Sequence, residues 1–150
     1  MSIWRPSVTV AAIIERDGRF LLVEEEADGR RVLNQPAGHL DPGESLVAAV
    51  EREVLEETAH RFTPTALLGV YRWHYAPKDV TYLRFAFRGH LQGAEQGREL
   101  DTEILALHWL TPQELVARRA MHRSPLVERC VSDSLAGKSF PLELLNREYA

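Results

Sequence analysis

The sequence predicts an α/β fold, an α/β/α sandwich with a β-sheet between helices. Three observations predict it. Apolar, β-branched runs stand both before and after one central helical stretch. Two further helix starts follow, at Thr111-Pro112 and Ser124-Pro125. No internal repeat, low-complexity run or long linker divides the 150 residues, a length suited to a single domain, 1–150, with its own core.

Taken in order, Ser7 to Ile14 is nearly continuously apolar and reads as a buried strand. Asp17-Gly18 signals a hairpin turn, Phe20 to Val23 is the partner strand, and Glu24 to Glu26 are expected to end it. Ala27-Asp28-Gly29 is a second turn, Val32-Leu33 a short strand, and Asn34 to Gly38 a loop with a glycine turn. The central helix is expected to start with Asp41 as N-cap, Pro42 at the first position and Glu44 closing a capping box, and to run to about Thr58. Leu46, Val47, Val50 and Val54 form its apolar stripe. Thr65 to Tyr75 and Thr81 to His90 read as strands joined at Ala76 to Asp79, and Ala106 to Leu110 as a short strand. Thr111 with Glu114 forms a capping box for a helix to about Ala120. Ser124 is expected to cap a last helix stopping at Gly137, and Pro141 to Leu145 to pack back on the core.

Composition narrows the function classes. Net charge is −4, which gives no electrostatic basis for non-specific nucleic-acid or anionic-membrane binding. The single cysteine, Cys130, excludes an internal disulfide and a cysteine zinc cage, and it reads as an inert helix-face residue. No apolar run approaches the roughly 20 residues of a membrane span. A soluble, cytoplasmic monomer acting on small molecules is expected.

The chemistry concentrates in Gly38 to His60. Glu53, Glu56 and Glu57 are spaced i, i+3, i+4 and share one helical face at the edge of the apolar stripe. Carboxylates this close repel one another, and a hard divalent cation such as Mg²⁺ offsets the repulsion. Like charges also raise carboxylate pKa values, so cation affinity is expected to improve as pH rises through the acidic range.

Gly38, Glu44, Arg52, Glu53, Val54, Glu56 and Glu57 fall at the spacing of the Nudix signature, and the chain resembles that family. Ala59 stands where the family usually has a glycine in left-handed conformation, and His60 where it usually has an aliphatic residue. The resemblance implies a mixed sheet between helices and hydrolysis of phosphoric anhydride bonds. It implies that Glu53, Glu56 and Glu57, with the Gly38 carbonyl, hold Mg²⁺ or Mn²⁺. It gives catalytic roles to Glu53 and Glu57, and to Glu103, six residues before Trp109, as base or extra ligand, with Glu99 and Asp101 as competitors. Glu44 and Arg52, two turns apart on one face, read as a structural ion pair.

Further segments, Ser7 to Ala11, Asn34 to Leu40, Leu83 to Phe85, Arg123 to Val127 and Pro141 to Glu143, resemble a bacterial phosphatase subgroup, the NudJ group. That resemblance implies phosphate release from nucleoside tri- and diphosphates and from the pyrimidine pyrophosphate precursor of thiamine. Gln35, His39 and Arg84 are the substrate-binding candidates, set against turn-capping for the first two and solvent exposure for Arg84. Trp73, His74 and Tyr75 either stack on a base or pack. The alternatives are a Nudix enzyme for an oxidised nucleotide or a nucleoside-diphosphate sugar, and a non-catalytic nucleotide-binding module.

Overall fold

The protein is described here by a computed structural model covering residues 1–145. β1 (Ser7–Arg16), β2 (Arg19–Ala27) and β3 (Arg30–Asn34) follow one another through tight turns. At each turn an aspartate and a glycine take left-handed φ values, 53° and 74° at Asp17-Gly18 and 52° and 77° at Asp28-Gly29. Such pairs match the twist of hairpin strands. Glu24 to Glu26 do not end β2. They pair along β3, Glu24 opposite Leu33 and Glu25 opposite Val32. Two of them have side-chain partners: Arg31 and His108 meet Glu24, and Arg123 meets Glu25 at 2.7 Å.

Gly38, expected in a turn, lies in the short strand β4 (Ala37–His39), antiparallel to β1. α1 (Leu46–Thr58) starts later than expected. Its N-cap is Ser45, whose hydroxyl accepts the Ala48 N–H at 3.0 Å. Asp41 and Glu44 instead form a separate turn ahead of the helix, with the Asp41 N–H donated to Glu44 Oε1 at 2.8 Å. Glu44 is drawn away from helix geometry because its carboxylate also holds Arg52.

α1 ends at Ala59, which adopts the left-handed conformation (φ 58°) that the family glycine would take, its N–H bonded to the Leu55 carbonyl. His60 Nδ1, 2.7 Å from the Thr58 carbonyl, donates to it and tightens the exit. β5 (His60–Tyr75) begins before the expected Thr65; Pro64 is tolerated because β5 is an edge strand and the register shifts there. β6 (Val80–Ala94), β7 (Ile104–Leu110), α2 (Pro112–Ala117) and α3 (Leu126–Leu135) complete the regular elements. Ser124 Oγ accepts the Leu126 N–H at 3.1 Å one residue ahead of the N-cap of α3, Pro125.

The sheet runs β3-β2-β1-β6-β5, with β4 added to β1 and β7 to β2. It is mixed: β1 and β6 are parallel, the remaining pairs antiparallel. Alternation along β1 divides the core into two layers. Val10, Ala12 and Ile14 pack with Val50 and Val54 of α1, and Leu142 and Leu145 of the C-terminal turn join this layer. Ala11 and Ile13 pack with Leu115 of α2 and Val127 and Val131 of α3. The expected sandwich is therefore formed. Among the described residues no helix is long and apolar enough to cross a membrane.

One topological detail positions the site. β2 pairs with β1 only at the hairpin, Glu15 with Phe20 and Arg16 with Arg19. Beyond it β2 diverges, β4 takes the vacated edge of β1, and a cleft opens between the two halves of the sheet.

Candidate active site

The cleft has a volume of about 400 Å³, and two chemically opposite walls bound it. α1 supplies one. Its apolar side, with Ala49, Val50 and Val54 fully buried, presses the helix onto the sheet and carries Glu53 and Glu57 inward with it, 8% and 7% exposed. Glu57 Oε1 accepts the Ala37 N–H of β4 at 2.9 Å. Glu53 lies over Gly38, where a Cβ would collide with its carboxylate. The motif glycine is therefore required for close approach, since its φ is not positive.

Arg52 fixes the outer side of this wall. Its Nε and Nη2 bond Glu44 at 3.0 and 2.6 Å, Nη2 the His39 carbonyl at 2.9 Å, and Nη1 Glu53 at 2.8 Å. The Glu44–Arg52 ion pair read from the spacing is thus a fork tying α1 to β4.

Burial dominates the electrostatics. It pushes Glu57 up to about 9, with Glu25, Glu53 and Asp101 adding to the shift and the Ala37 N–H opposing it. It raises Glu53 to about 7, against the pull of Arg52. Asp101 is also raised, by burial and then by Glu56 and Glu103. Its backbone N–H bonds the Glu56 carbonyl at 3.0 Å, which hangs the loop before β7 over the helix. Glu56, Asp101 and exposed Glu103 all line the cleft; Glu99 does not.

Among the described residues no three acidic, histidine or cysteine side chains are gathered closely enough to hold a metal ion as they stand. The donor chemistry nevertheless fits a hard cation. All candidates are oxygens, and Glu53 and Glu57 each engage one oxygen with a protein donor, leaving Oε2 without one among the described residues. Buried acids holding their protons this high are groups whose ionisation a cation would favour.

The opposite wall comes from β5 and β6. Tyr82 and Arg84 are two apart on β6 and share a face with their β5 partners Trp73 and Tyr71. Trp73 stacks on Tyr82 with centroids 5.6 Å apart at 18°, Tyr75 flanks Trp73 at 5.2 Å, and the His39 ring lies 6.4 Å from Tyr82. His39, Trp73, Tyr75, Tyr82 and Arg84 all line the cleft.

Two expectations change here. Gln35 is 1% exposed and spent inside the protein: Nε2 donates to the Val127 carbonyl at 2.8 Å, and Oε1 accepts from Arg84 at 2.9 Å. It lies behind the wall and does not line the cleft. Arg84 does not face solvent; it is 5% exposed. His74 turns outward to Asp79. The sequence reading missed Glu25, Asn34 and Tyr82. Glu25 was hidden by the assumption that acidic residues end a strand, although three glutamates facing a basic partner strand were a usable signal. Tyr82 becomes visible only through its cross-strand pairing with Trp73.

A NUDIX domain family model matches residues 4–130. Phosphatase NudJ of Escherichia coli strain K12 is 35% identical over 142 residues, covering 95% of this chain and 92% of that protein. The structure is similar to a NUDIX hydrolase from Nitrosomonas europaea, with a TM-score of 0.93, 50% identity, and 96% and 98% of the two chains covered. A MutT NUDIX hydrolase from Burkholderia pseudomallei, 24% identical with a TM-score of 0.73 over 87% of this chain and 98% of its own, shares the fold. With the signature glutamates on α1, the glycine beneath them and the family match across most of its length, the chain belongs to the Nudix hydrolase family.

Proposed function

We propose that this enzyme is a Mg²⁺-dependent phosphohydrolase of the NudJ kind, with Mn²⁺ able to substitute. Its substrates are nucleoside tri- and diphosphates and the hydroxymethylpyrimidine pyrophosphate precursor of thiamine, and phosphate is released. One observation carries this reading: buried, proton-holding carboxylates face an aromatic and arginine wall across a single cleft. The similarity to a protein named a phosphatase supports it.

The side chains divide the work. Glu53, Glu56, Glu57 and the Gly38 carbonyl would hold the cation. When bound, that cation supplies charge neutralisation, orientation of the anhydride and a more acidic water. The Ala37 N–H sets the Glu57 carboxylate, and Arg52 sets Glu53, before substrate arrives. Glu103, at the solvent side of the cleft, takes the proton from the attacking water, with Asp101 beside it. Trp73 and Tyr82 offer an aromatic surface to a planar base, with His39 at its edge.

A panel of nucleotides with Mg²⁺, scored separately for phosphate and pyrophosphate, tests the reading. Phosphate is expected from both tri- and diphosphates. Pyrophosphate and nucleoside monophosphate as the only products from triphosphates would instead identify a pyrophosphohydrolase.

A further inference from the structure

Arg84 presents an electrostatic problem that the protein alone does not solve. It is 5% exposed, on β6 between β1 and β5, where pairing with Thr9 and Tyr71 leaves the backbone no freedom. A buried guanidinium ordinarily has a carboxylate partner. Among the described residues none lies within ion-pair distance of Arg84; its partners are all neutral. Nη1 donates to Gln35 Oε1 at 2.9 Å and to Cys130 Sγ at 3.7 Å, and Nη2 donates to Asn34 Oδ1 at 2.9 Å. Burial raises the Cys130 thiol, so the sulfur does not serve as a counterion. The buried acid of α3, Asp133, is taken by Tyr71, Arg129 and Lys138. Glu25 of the same cleft is taken by Arg123.

The guanidinium has five N–H donors, and these bonds leave Nε–H and one Nη2–H uncommitted. No fully buried side-chain nitrogen or oxygen among the described residues lacks a partner, so Nε keeps some exposure, and Arg84 lines the cleft. That edge is the fork that matches two oxygens of a phosphoryl group.

We propose that Asn34, Gln35 and Arg84 form a buried receptor for a phosphoryl group of the substrate, distinct from the carboxylate wall that would hold the cation. Asn34 and Gln35 are positioning residues. Their amide oxygens orient the guanidinium without neutralising it, and Gln35 is itself anchored to the Val127 carbonyl of α3. The side-chain amides are required because a carboxylate at either position would satisfy the charge internally. The inference deepens the phosphohydrolase reading, yet it concerns a phosphoryl anion and does not depend on turnover.

The test uses inorganic phosphate as probe and the full-length protein in chelator, at constant ionic strength, by calorimetry. Wild type is expected to bind phosphate saturably without any divalent cation. Asn34→Asp, nearly isosteric, is expected to weaken phosphate binding at least about tenfold, the loss of one charged hydrogen-bonded contact, while thermal stability holds or rises. Gln35→Glu is expected to weaken phosphate binding likewise, with some loss of thermal stability because its donation to the Val127 carbonyl is gone, and it stands in should Asn34→Asp fail to fold. In turnover assays both variants raise KM for a nucleoside triphosphate more than they lower kcat. Wild type without saturable phosphate binding, or a folded Asn34→Asp that binds phosphate like wild type, would overturn the receptor. Neither result bears on whether the enzyme hydrolyses anhydrides, because the measurement involves no catalysis.

Discussion

The two walls of the cleft bury charge in opposite ways. On the α1 side, acids crowd together and burial favours their protonated forms, pushing Glu57 up to about 9 and Glu53 to about 7. On the β6 side, a single cation is enclosed by neutral oxygens and a thiol. On the proposed reading, a cation would complete the first wall and an anion the second. A phosphoric anhydride arriving with a divalent cation would complete both, which would account for a group on each wall that destabilises an isolated protein core. The difference teaches where to cut. Changes on the α1 wall should strike turnover, and changes around Arg84 should strike substrate affinity.

Glu57→Gln is the sharpest cut. It keeps the shape and the Ala37 contact but removes the charge, and kcat is expected to fall on the order of 10²–10⁴-fold with metal-free phosphate binding unchanged. Steady-state kinetics alongside calorimetry checks both halves, and full activity in this variant would break the comparison. Gly38→Ala comes next. The added methyl displaces Glu53, and cation affinity should drop roughly 10–100-fold, read from the Mg²⁺ concentration that half-saturates turnover.

Linkage gives a smaller, global effect. Because burial raises both acids, the metal-free folded state holds protons that the unfolded chain has already released above the ordinary carboxylate range. Stability should therefore decline as pH rises from about 5 through 7 and towards 9. A melting temperature that falls by several degrees over this range in chelator, and falls less in Glu57→Gln, is the expected pattern; a flat profile would mean that burial does not hold these protons. Smallest of all, Ala59→Gly should stabilise the fold by up to about 1 kcal/mol, since it relieves the left-handed alanine at the end of α1, with turnover unchanged. Chemical denaturation measures it.

Much of this was legible in the sequence, and the limits have physical causes. Strand and helix identities follow from periodicity, and Asp17-Gly18 announced its role through turn chemistry. The start of α1 was misplaced because Asp41, Pro42 and Glu44 satisfy every local rule for a cap. Glu44 is diverted by Arg52 eight residues on, and the spacing that reveals the pair does not reveal that it draws Glu44 off the helix. Gly38 was visible as a necessary glycine but not as a steric one, because the atom that requires it belongs to Glu53 on another element. The carboxylates of α1 share a helix, so spacing alone gathers them. Asn34, Gln35, Arg84 and Tyr82 are gathered by sheet pairing and by α3 across long stretches of chain, and no local pattern marks them as one wall.

The most direct test is the dependence of phosphate release on divalent cation. With a nucleoside triphosphate as substrate, release should rise saturably with Mg²⁺, stop in chelator, and return when Mg²⁺ or Mn²⁺ is restored. Phosphate release that continues undiminished in chelator would contradict the assignment of the α1 carboxylates as the cation site.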